Sequence, residues 1–458
     1  MIESDAFKLL LINLFHLNPD DIANIFCTTF NKMMVLLVTL ADKHQACPYC
    51  GFTAPKIKEY VTKEITHSAL TTQKCIIKYR ARRYKCPCCG KTYYEFNPFV
   101  FKSQKISILT VHNILKDLKD FNETFTSVAR RYHVSPTSVS TIFDNHVDIG
   151  RNPLPEIINF DEVYAFKSEK SKYVCVLLDF KKQIPVDVLP NRKKEYLLNY
   201  FQKIPLEERK KVKYACSDMY EVYRDVVHKV FPCSCMLLDY FHLSQDFHRK
   251  MNEVRIKVMK GYKDDKASDE YYLLKKFNWL LFKNPEDEDK YGRLFDVERE
   301  RKYNSHFKSY MNYYDLRRKL LEINNGLTIC YSLKLELVDF YSKSTIDNAQ
   351  VNLEHLIRNC IDTNIEEMIA FSNNLINWKQ EIINSFTIVG TEYKVEADKG
   401  QVVVCNKKVN NAIIENRNKI IKCIKNNANG YTNWSRFRNR VMYVLDPNAT
   451  FSLEPREK

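Results

Sequence analysis

The spacing of apolar positions changes several times along this chain, and each change marks a new kind of element. A helical spacing over residues 6–15 gives way to a turn at Asn18, Pro19 and Asp20, and then to an apolar strand over Met33–Leu40. Alternating stretches over 59–66 and 73–84 predict a hairpin. From residue 102 to 150 the spacing is helical again. One helix is expected over 108–118, and Thr126, Val128, Ala129, Tyr132 and Val134, followed by Val139, Ile142 and Phe143, carry the pattern of a helix-turn-helix around His133–Pro136. Ser135 is placed to cap the second helix, with Pro136 at its first position.

Between 155 and 250 short apolar runs alternate with helical ones. Strands over 157–161, 172–180 and 184–189 precede a helix over 193–203, a strand over 212–217, a helix over 219–229, a strand over 235–238 and a helix from 241. That order is the order of a ribonuclease H-like fold, in which the first and fourth strands are neighbours. Residues 251–395 read as almost wholly helical, an insertion rather than more sheet. The pattern sharpens again where Ile413, Ile414, Ile420, Ile421 and Ile424 make one face of a helix whose other side carries Glu415, Lys419 and Lys422.

Charge narrows the partner. A formal net charge of +15 on 458 residues, with a sequence pI near 9.0, points to a polyanion, and nucleic acid fits better than a membrane. No run approaches the roughly 18–20 apolar residues of a spanning helix. Met33–Leu40 is too short and too far inside the chain for a signal peptide, so a cytoplasmic, nucleoid-associated protein is expected. The scarcity of glycine, 9 residues, and the abundance of Lys, Asn, Ile and Tyr fit an AT-rich bacterial genome.

Two motifs add chemistry. Cys47-Pro-Tyr-Cys50-Gly and Cys86-Pro-Cys-Cys89-Gly are paired knuckles whose four thiolates suit one tetrahedral zinc at about 2.3 Å, the core of a zinc ribbon, with Cys88 as a competitor for Cys89. Arg82 and Arg83, with Lys78, Arg80 and Lys85, interleave with Tyr79 and Tyr84, a surface suited to a nucleic-acid backbone. In the helix-turn-helix, Thr137 and Ser138 are placed to face a groove, with Arg130 and Arg131 near phosphates. The second motif is a strand ending. The runs 157–161 and 212–218 both stop on an aspartate, Asp161 and Asp218, and neighbouring strands would hold both carboxylates at one sheet edge, as a pair of divalent cations requires. Glu162 should point away from Asp161 if the strand continues.

In order and spacing, these pieces resemble bacterial DDE transposases of the ISL-three insertion-sequence family over nearly the whole chain. The resemblance is carried by the knuckles with Arg82, Arg83 and Tyr84, by Phe160-Asp161-Glu162, and by the stretches 187–192 and 217–223. It continues through Asp239-Tyr-Phe-His242-Leu, 279–285 and the helix from Asn411 to Lys419. It implies a catalytic triad of Asp161, Asp218 and Glu415 holding two Mg²⁺ (or Mn²⁺) ions, with one structural Zn²⁺ and double-stranded DNA, both terminal inverted repeats and target, as partner. A homodimer or higher oligomer on DNA follows from the same likeness. Glu415 depends chiefly on this likeness, and Glu336 and Glu354 are its rivals. Asp239 and His242 are implied as auxiliary groups near the scissile phosphate, with helix capping as the alternative; Trp279 and Trp434 are stacking candidates or core residues. Asn416, where the family pattern has a glycine, is a departure.

The expected architecture is multidomain α/β: a lead-in (1–42), a zinc ribbon (43–100), a helix-turn-helix (101–150), a ribonuclease H-like core (151–250), a helical insertion (251–395) and a core completion with the catalytic glutamate (396–458). The competing readings are an inactive or domesticated DNA-binding regulator and a zinc protein of RNA metabolism.

Overall fold

Pairing between distant strands turns the first hundred residues into one sheet. In the computed structural model, which describes residues 2–43, 45–68, 72–101, 104–166, 171–394 and 402–456, helix α1 (Ile2–Leu14) precedes β1 (Ile22–Phe30), β2 (Met33–Leu40), β3 (Lys56–Thr66), β4 (Cys75–Lys85) and β5 (Thr92–Tyr94). The order is β1-β2-β4-β3, with β5 also on β4. Parallel pairing of β2 with β4, Leu36 opposite Ile77, carries the sheet across the boundary expected at residue 42. Strand β1 has no counterpart among the expected elements because it is an edge strand: Ile22 and Ile25 alone are buried, so its sequence lacks alternation.

Three helices follow, α2 (Ile108–Asp117), α3 (Phe125–Arg131) and α4 (Pro136–His146). Ser135 caps α4 by accepting from the Ser138 N–H, and His133 takes a positive φ of 53° in the turn before it. Val111, Ile114, Leu115, Val128, Val139 and Phe143 form their core.

The next sheet contains β6 (Ile157–Val163), β7 (Val174–Asp179), β8 (Pro185–Leu189), β9 (Tyr214–Ser217) and β10 (Cys235–Leu238), in the order β10-β9-β6-β7-β8. Helices α5 (Lys194–Gln202), α6 (Leu206–Arg209) and α7 (Glu221–Val230) connect its second half. Strands β6, β7 and β8 form an antiparallel meander, while β9 runs parallel to β6 and β10 parallel to β9.

A helical region then runs through α8 (Tyr240–Lys260), α9 (Asp269–Lys276), α10 (Tyr313–Glu322), α11 (Asn325–Lys343), α12 (Ala349–Asp362), α13 (Glu366–Asn377) and α14 (Lys379–Asn384) around Phe247, Leu327, Leu353 and Phe371. It is less uniformly helical than its composition suggests. Two short hairpins, β11–β12 (Glu288–Asp289, Gly292–Arg293) and β13–β14 (Lys302–Asn304, Ser309–Met311), interrupt it, and β15 (Ile388–Lys394) pairs with β16 (Val402–Lys408). Strands of two or three residues are too short to show a period. The expected boundary at 395/396 lies outside the described residues. Asn384 closes the sheet edge by donating its side-chain N–H to the Met236 carbonyl (3.0 Å).

Helices α15 (Ala412–Asn427) and α16 (Trp434–Leu445) return to the sheet. Leu197, Phe201, Tyr223 and Val227 cover one face, against Ile158, Phe160 and Leu177. Ile414, Ile421, Phe437 and Val441 cover the other, against Val163, Val176 and Val188. This double cover explains why apolar residues occupy both faces of these strands.

Helix α16 also fastens the α2–α4 unit to the core. Arg440, 1% exposed, donates to the carbonyls of Asp120 (2.8 Å) and Glu123 (2.7 Å). Tyr443 donates its hydroxyl to the Leu115 carbonyl (3.0 Å), and Arg436 pairs with Asp144 (2.6 Å). Among the described residues no helix is long and apolar enough to cross a membrane.

Candidate active site

Three carboxylates leave one edge of the second sheet side by side. Asn159 on β6 lies opposite Cys216 on β9, so Asp161 and Asp218, each two residues further on, emerge from adjacent strands at one level. Leu238 on β10 lies opposite Ser217, and Asp239 follows it, its N–H donating to the Ser217 carbonyl (3.0 Å). The pleat sends Asp161 toward α15 and Glu162 the other way. Glu162 accepts from the Tyr223 hydroxyl (3.2 Å) and pairs with Arg192, whose guanidinium lies 4.7 Å from the ring centres of both Tyr173 and Tyr220.

Burial governs the charge of these acids. It pushes Asp161 up to about 7, a rise opposed by the Glu162 N–H on its Oδ1 (2.7 Å) and reinforced by Asp218. It pushes Asp218 up to about 6, with Glu162 and Asp239 reinforcing and His242 and Arg192 opposing. Asp239 is raised for the same reason, against the Asn411 N–H on its Oδ1 (3.1 Å). Asp218 Oδ1, Asp239 Oδ2 and His242 Nε2 are all buried without a hydrogen-bond partner. Leaving such atoms unpaired costs about 1–3 kcal/mol each, more if charged. A cluster of them fits a divalent cation, with carboxylate oxygens and one imidazole as donors.

Buried asparagines bring α15 to this edge. The Asn411 side chain donates to the Phe160 carbonyl (3.1 Å) and accepts from Asn159 Nδ2 (2.6 Å), which also donates to the Asn410 carbonyl (2.8 Å). Two turns later, Asn418 Nδ2 donates to Asp161 Oδ2 (2.7 Å). Glu415 lies between them, and its Oε1 is 4.0 Å from His242 Nε2, which is 3.8 Å from Asp239 Oδ2. From sequence, Asn159, Asn411 and Asn418 carry no assigned role; the signal for two of them is that Asn411, Glu415 and Asn418 recur at i, i+4 and i+7, the spacing of one helix face. The rival glutamates lie in the helical region: Glu336 accepts from Asn359 (2.7 Å) and bonds His355 (3.0 Å), and Glu354 pairs with Lys379 (2.7 Å).

The four knuckle cysteines converge at the tip of the first sheet, with their sulfur atoms all within 4.8 Å of one another. Cys47 and Cys89 sulfurs are 3.7 Å apart, Cys50 and Cys86 sulfurs 3.5 Å. Thiolates about 2.3 Å from one tetrahedral ion stand roughly 3.8 Å apart, so the spacing fits zinc. Both knuckles close alike: Gly51 N–H donates to the Cys47 carbonyl and Gly90 N–H to the Cys86 carbonyl (2.9 Å each), at φ of +73° and +71°, which glycine adopts without strain. The backbone N–H of Cys89 holds the Cys86 thiol down to about 7. Cys88 is exposed and stands outside the cluster.

The basic residues divide by what they touch. Arg82 is spent on Glu95 (2.8 Å) and the Leu40 and Ala41 carbonyls, Arg83 pairs with Glu59 (2.7 Å), and Arg131 pairs with Asp117 and Glu123. Arg130, Thr137, Lys419 and Lys422 are exposed, and Ser138 is half-buried at the α4 cap. Trp279 packs edge-on against Tyr313 (5.1 Å) and Trp434 against Phe166 (5.1 Å).

Comparison with known proteins identifies the scaffold. Residues 158–397 match the family model DDE_Tnp_ISL3, described as transposase. A curated relative, the transposase for insertion sequence element IS1001 of Bordetella parapertussis, is 20% identical over 410 residues, 89% of this chain and 90% of the relative. Since the matched segment spans over half the chain and contains Asp161, Asp218 and Asp239, this protein belongs to the ISL3 family of insertion-sequence transposases.

Proposed function

We propose that this transposase cleaves the ends of its element and joins them to target DNA with two divalent ions, Mg²⁺ or Mn²⁺, held by Asp161, Asp218 and Glu415. The observation that carries this reading is the set of buried polar atoms beside Asp161, namely Asp218 Oδ1, Asp239 Oδ2 and His242 Nε2, that have no hydrogen-bond partner among the described residues. The strand order β10-β9-β6-β7-β8 supports it, because a ribonuclease H-like sheet presents its acids at this edge. Bound ions would activate a water or 3′-hydroxyl and offset charge on the leaving oxygen.

The chain's own groups do the positioning. Asn418 and the Glu162 N–H each hold one oxygen of Asp161, which fixes its rotamer and leaves further lone pairs free. Asn411 and Asn159 set the start of α15 and so the reach of Glu415. Lys419 and Lys422, one and two turns beyond Glu415, are exposed to meet the DNA backbone. Recognition of the terminal inverted repeats belongs, in this reading, to the zinc ribbon of four cysteines and to the α2–α4 unit as a helix-turn-helix, with Arg130, Thr137 and Ser138 facing the duplex. Such a protein works in the cytoplasm at the nucleoid, as a dimer or larger assembly that brings two ends together.

The test is incubation of labelled end DNA with the protein and Mg²⁺ or Mn²⁺, followed by mapping of nicks. Asp161→Asn, Asp218→Asn and Glu415→Gln should each abolish nicking and leave end binding within about threefold of the parent. Nicking by all three variants refutes the mechanism. End binding by the parent with no nicking under either metal supports the regulator reading instead.

A further inference from the structure

The row of acids at this sheet edge extends past Asp161 and Asp218. Asp239 is 2% exposed; its Oδ1 takes the Asn411 N–H, while its Oδ2 is buried and unpartnered. At the start of α8, three residues on, His242 brings Nε2, also buried and unpartnered, to 3.8 Å from that oxygen. Helix α15 brings Glu415 Oε1 to 4.0 Å from the same nitrogen, and the three ligand atoms lie within 4.8 Å of one another. A plain His–carboxylate hydrogen bond does not account for this, because both separations exceed hydrogen-bond length and leave the buried Asp239 Oδ2 and His242 Nε2 without a partner. Ligands about 2.1–2.2 Å from a shared ion stand roughly 3.0–4.4 Å apart across its coordination sphere, so a small side-chain movement closes the set.

We infer that Asp239, His242 and Glu415 form a cation pocket of mixed nitrogen and oxygen donors beside the all-oxygen pair Asp161 and Asp218, and that its imidazole favours Mn²⁺ or a similar first-row ion over Mg²⁺. The chemical ground is that Mg²⁺ prefers oxygen ligands and sheds water reluctantly, whereas imidazole suits transition metals. This rests on the carboxylate reading above and deepens it, since the ion assigned to Glu415 acquires two further ligands. It also gives the unpartnered Nε2 of His242 a function that helix capping by Asp239 does not.

The experiment is pulsed electron paramagnetic resonance of the full-length chain loaded with Mn²⁺, combined with displacement of Mn²⁺ by Mg²⁺. The parent should show nitrogen coupling from a directly bound imidazole and retain one class of Mn²⁺ with at least a tenfold preference over Mg²⁺. His242→Gln should lose both the coupling and the preference, and Asp161→Asn should keep the coupling. Nitrogen coupling that survives His242→Gln overturns the assignment. Mn²⁺ binding that is sensitive to Asp161→Asn and Asp218→Asn but shows no nitrogen coupling overturns this inference alone. Mn²⁺ binding unchanged in Asp161→Asn, Asp218→Asn and Glu415→Gln overturns both it and the proposed function.

Discussion

Replacing Asp161 with asparagine should make the ion-free protein more stable while removing its chemistry. Asp161 is 8% exposed, and burial moves its carboxyl from an ordinary 3.8 to about 7. Between those values the folded chain binds a proton that the unfolded chain has released, so stability falls as pH rises, at about 1.4 kcal/mol per pH unit. Across roughly three units the loss is on the order of 4 kcal/mol, complete above about pH 7 and absent below about pH 4. An asparagine carries no such charge, and its amide oxygen still accepts from Asn418 Nδ2 or the Glu162 N–H. Urea unfolding in Mg²⁺-free buffer, followed by tryptophan fluorescence to which Trp434 packed on Phe166 contributes, measures the difference. Asp161→Asn should exceed the parent by several kcal/mol at pH 8, converge with it near pH 4, and lose its advantage when saturating Mn²⁺ stabilises the parent alone. Equal stability at pH 8, or a gain undiminished at pH 4, refutes the reasoning.

Other perturbations separate the remaining parts. Asn411→Ala removes two side-chain bonds and leaves the buried Phe160 carbonyl unpaired, so a loss of about 2–4 kcal/mol is expected, with faster hydrogen exchange along α15. Cys86→Ser should lower the zinc content from one ion per chain toward none by metal analysis and loosen β3–β5, while helical circular dichroism stays near that of the parent. Arg440→Met should strand the Asp120 and Glu123 carbonyls and undock the α2–α4 unit, read as new proteolytic cleavage between α4 and β6.

Local periodicity carried much of the second sheet. The strands over 157–163, 174–179, 185–189, 214–217 and 235–238 differ from their expected limits by two residues or fewer at each end. They were legible because both faces are buried, which makes each a short apolar run with clear ends. Strand β1 was not legible, since its partner supplies the pattern that its own residues lack, and the hairpins at 288–311 are too short to show any. In the site, Asp161 and Asp218 announce themselves as charges closing apolar runs. Asn159, Asn411 and Asn418 do not, because a buried amide looks in sequence like any exposed turn residue, and its value appears only when its partners some 250 positions away arrive. Arg82 and Arg131 show the reverse: each looks like a DNA contact in a basic sequence, and each is committed to acids of its own module.

The fastening of α2–α4 to α16 by Arg440, Tyr443 and Arg436 makes the molecule a caliper. If α4 grips a duplex, these contacts hold the carboxylate edge at a set distance and angle from the bases being read. One added base pair between the recognised sequence and the cut site moves the target phosphate by about 3.4 Å and turns it by about 35°. On the proposed function, the cleavage position would then be measured from the recognised sequence by the protein's own dimensions, and an element that gains or loses a base pair in that interval would present a phosphate the acids no longer face.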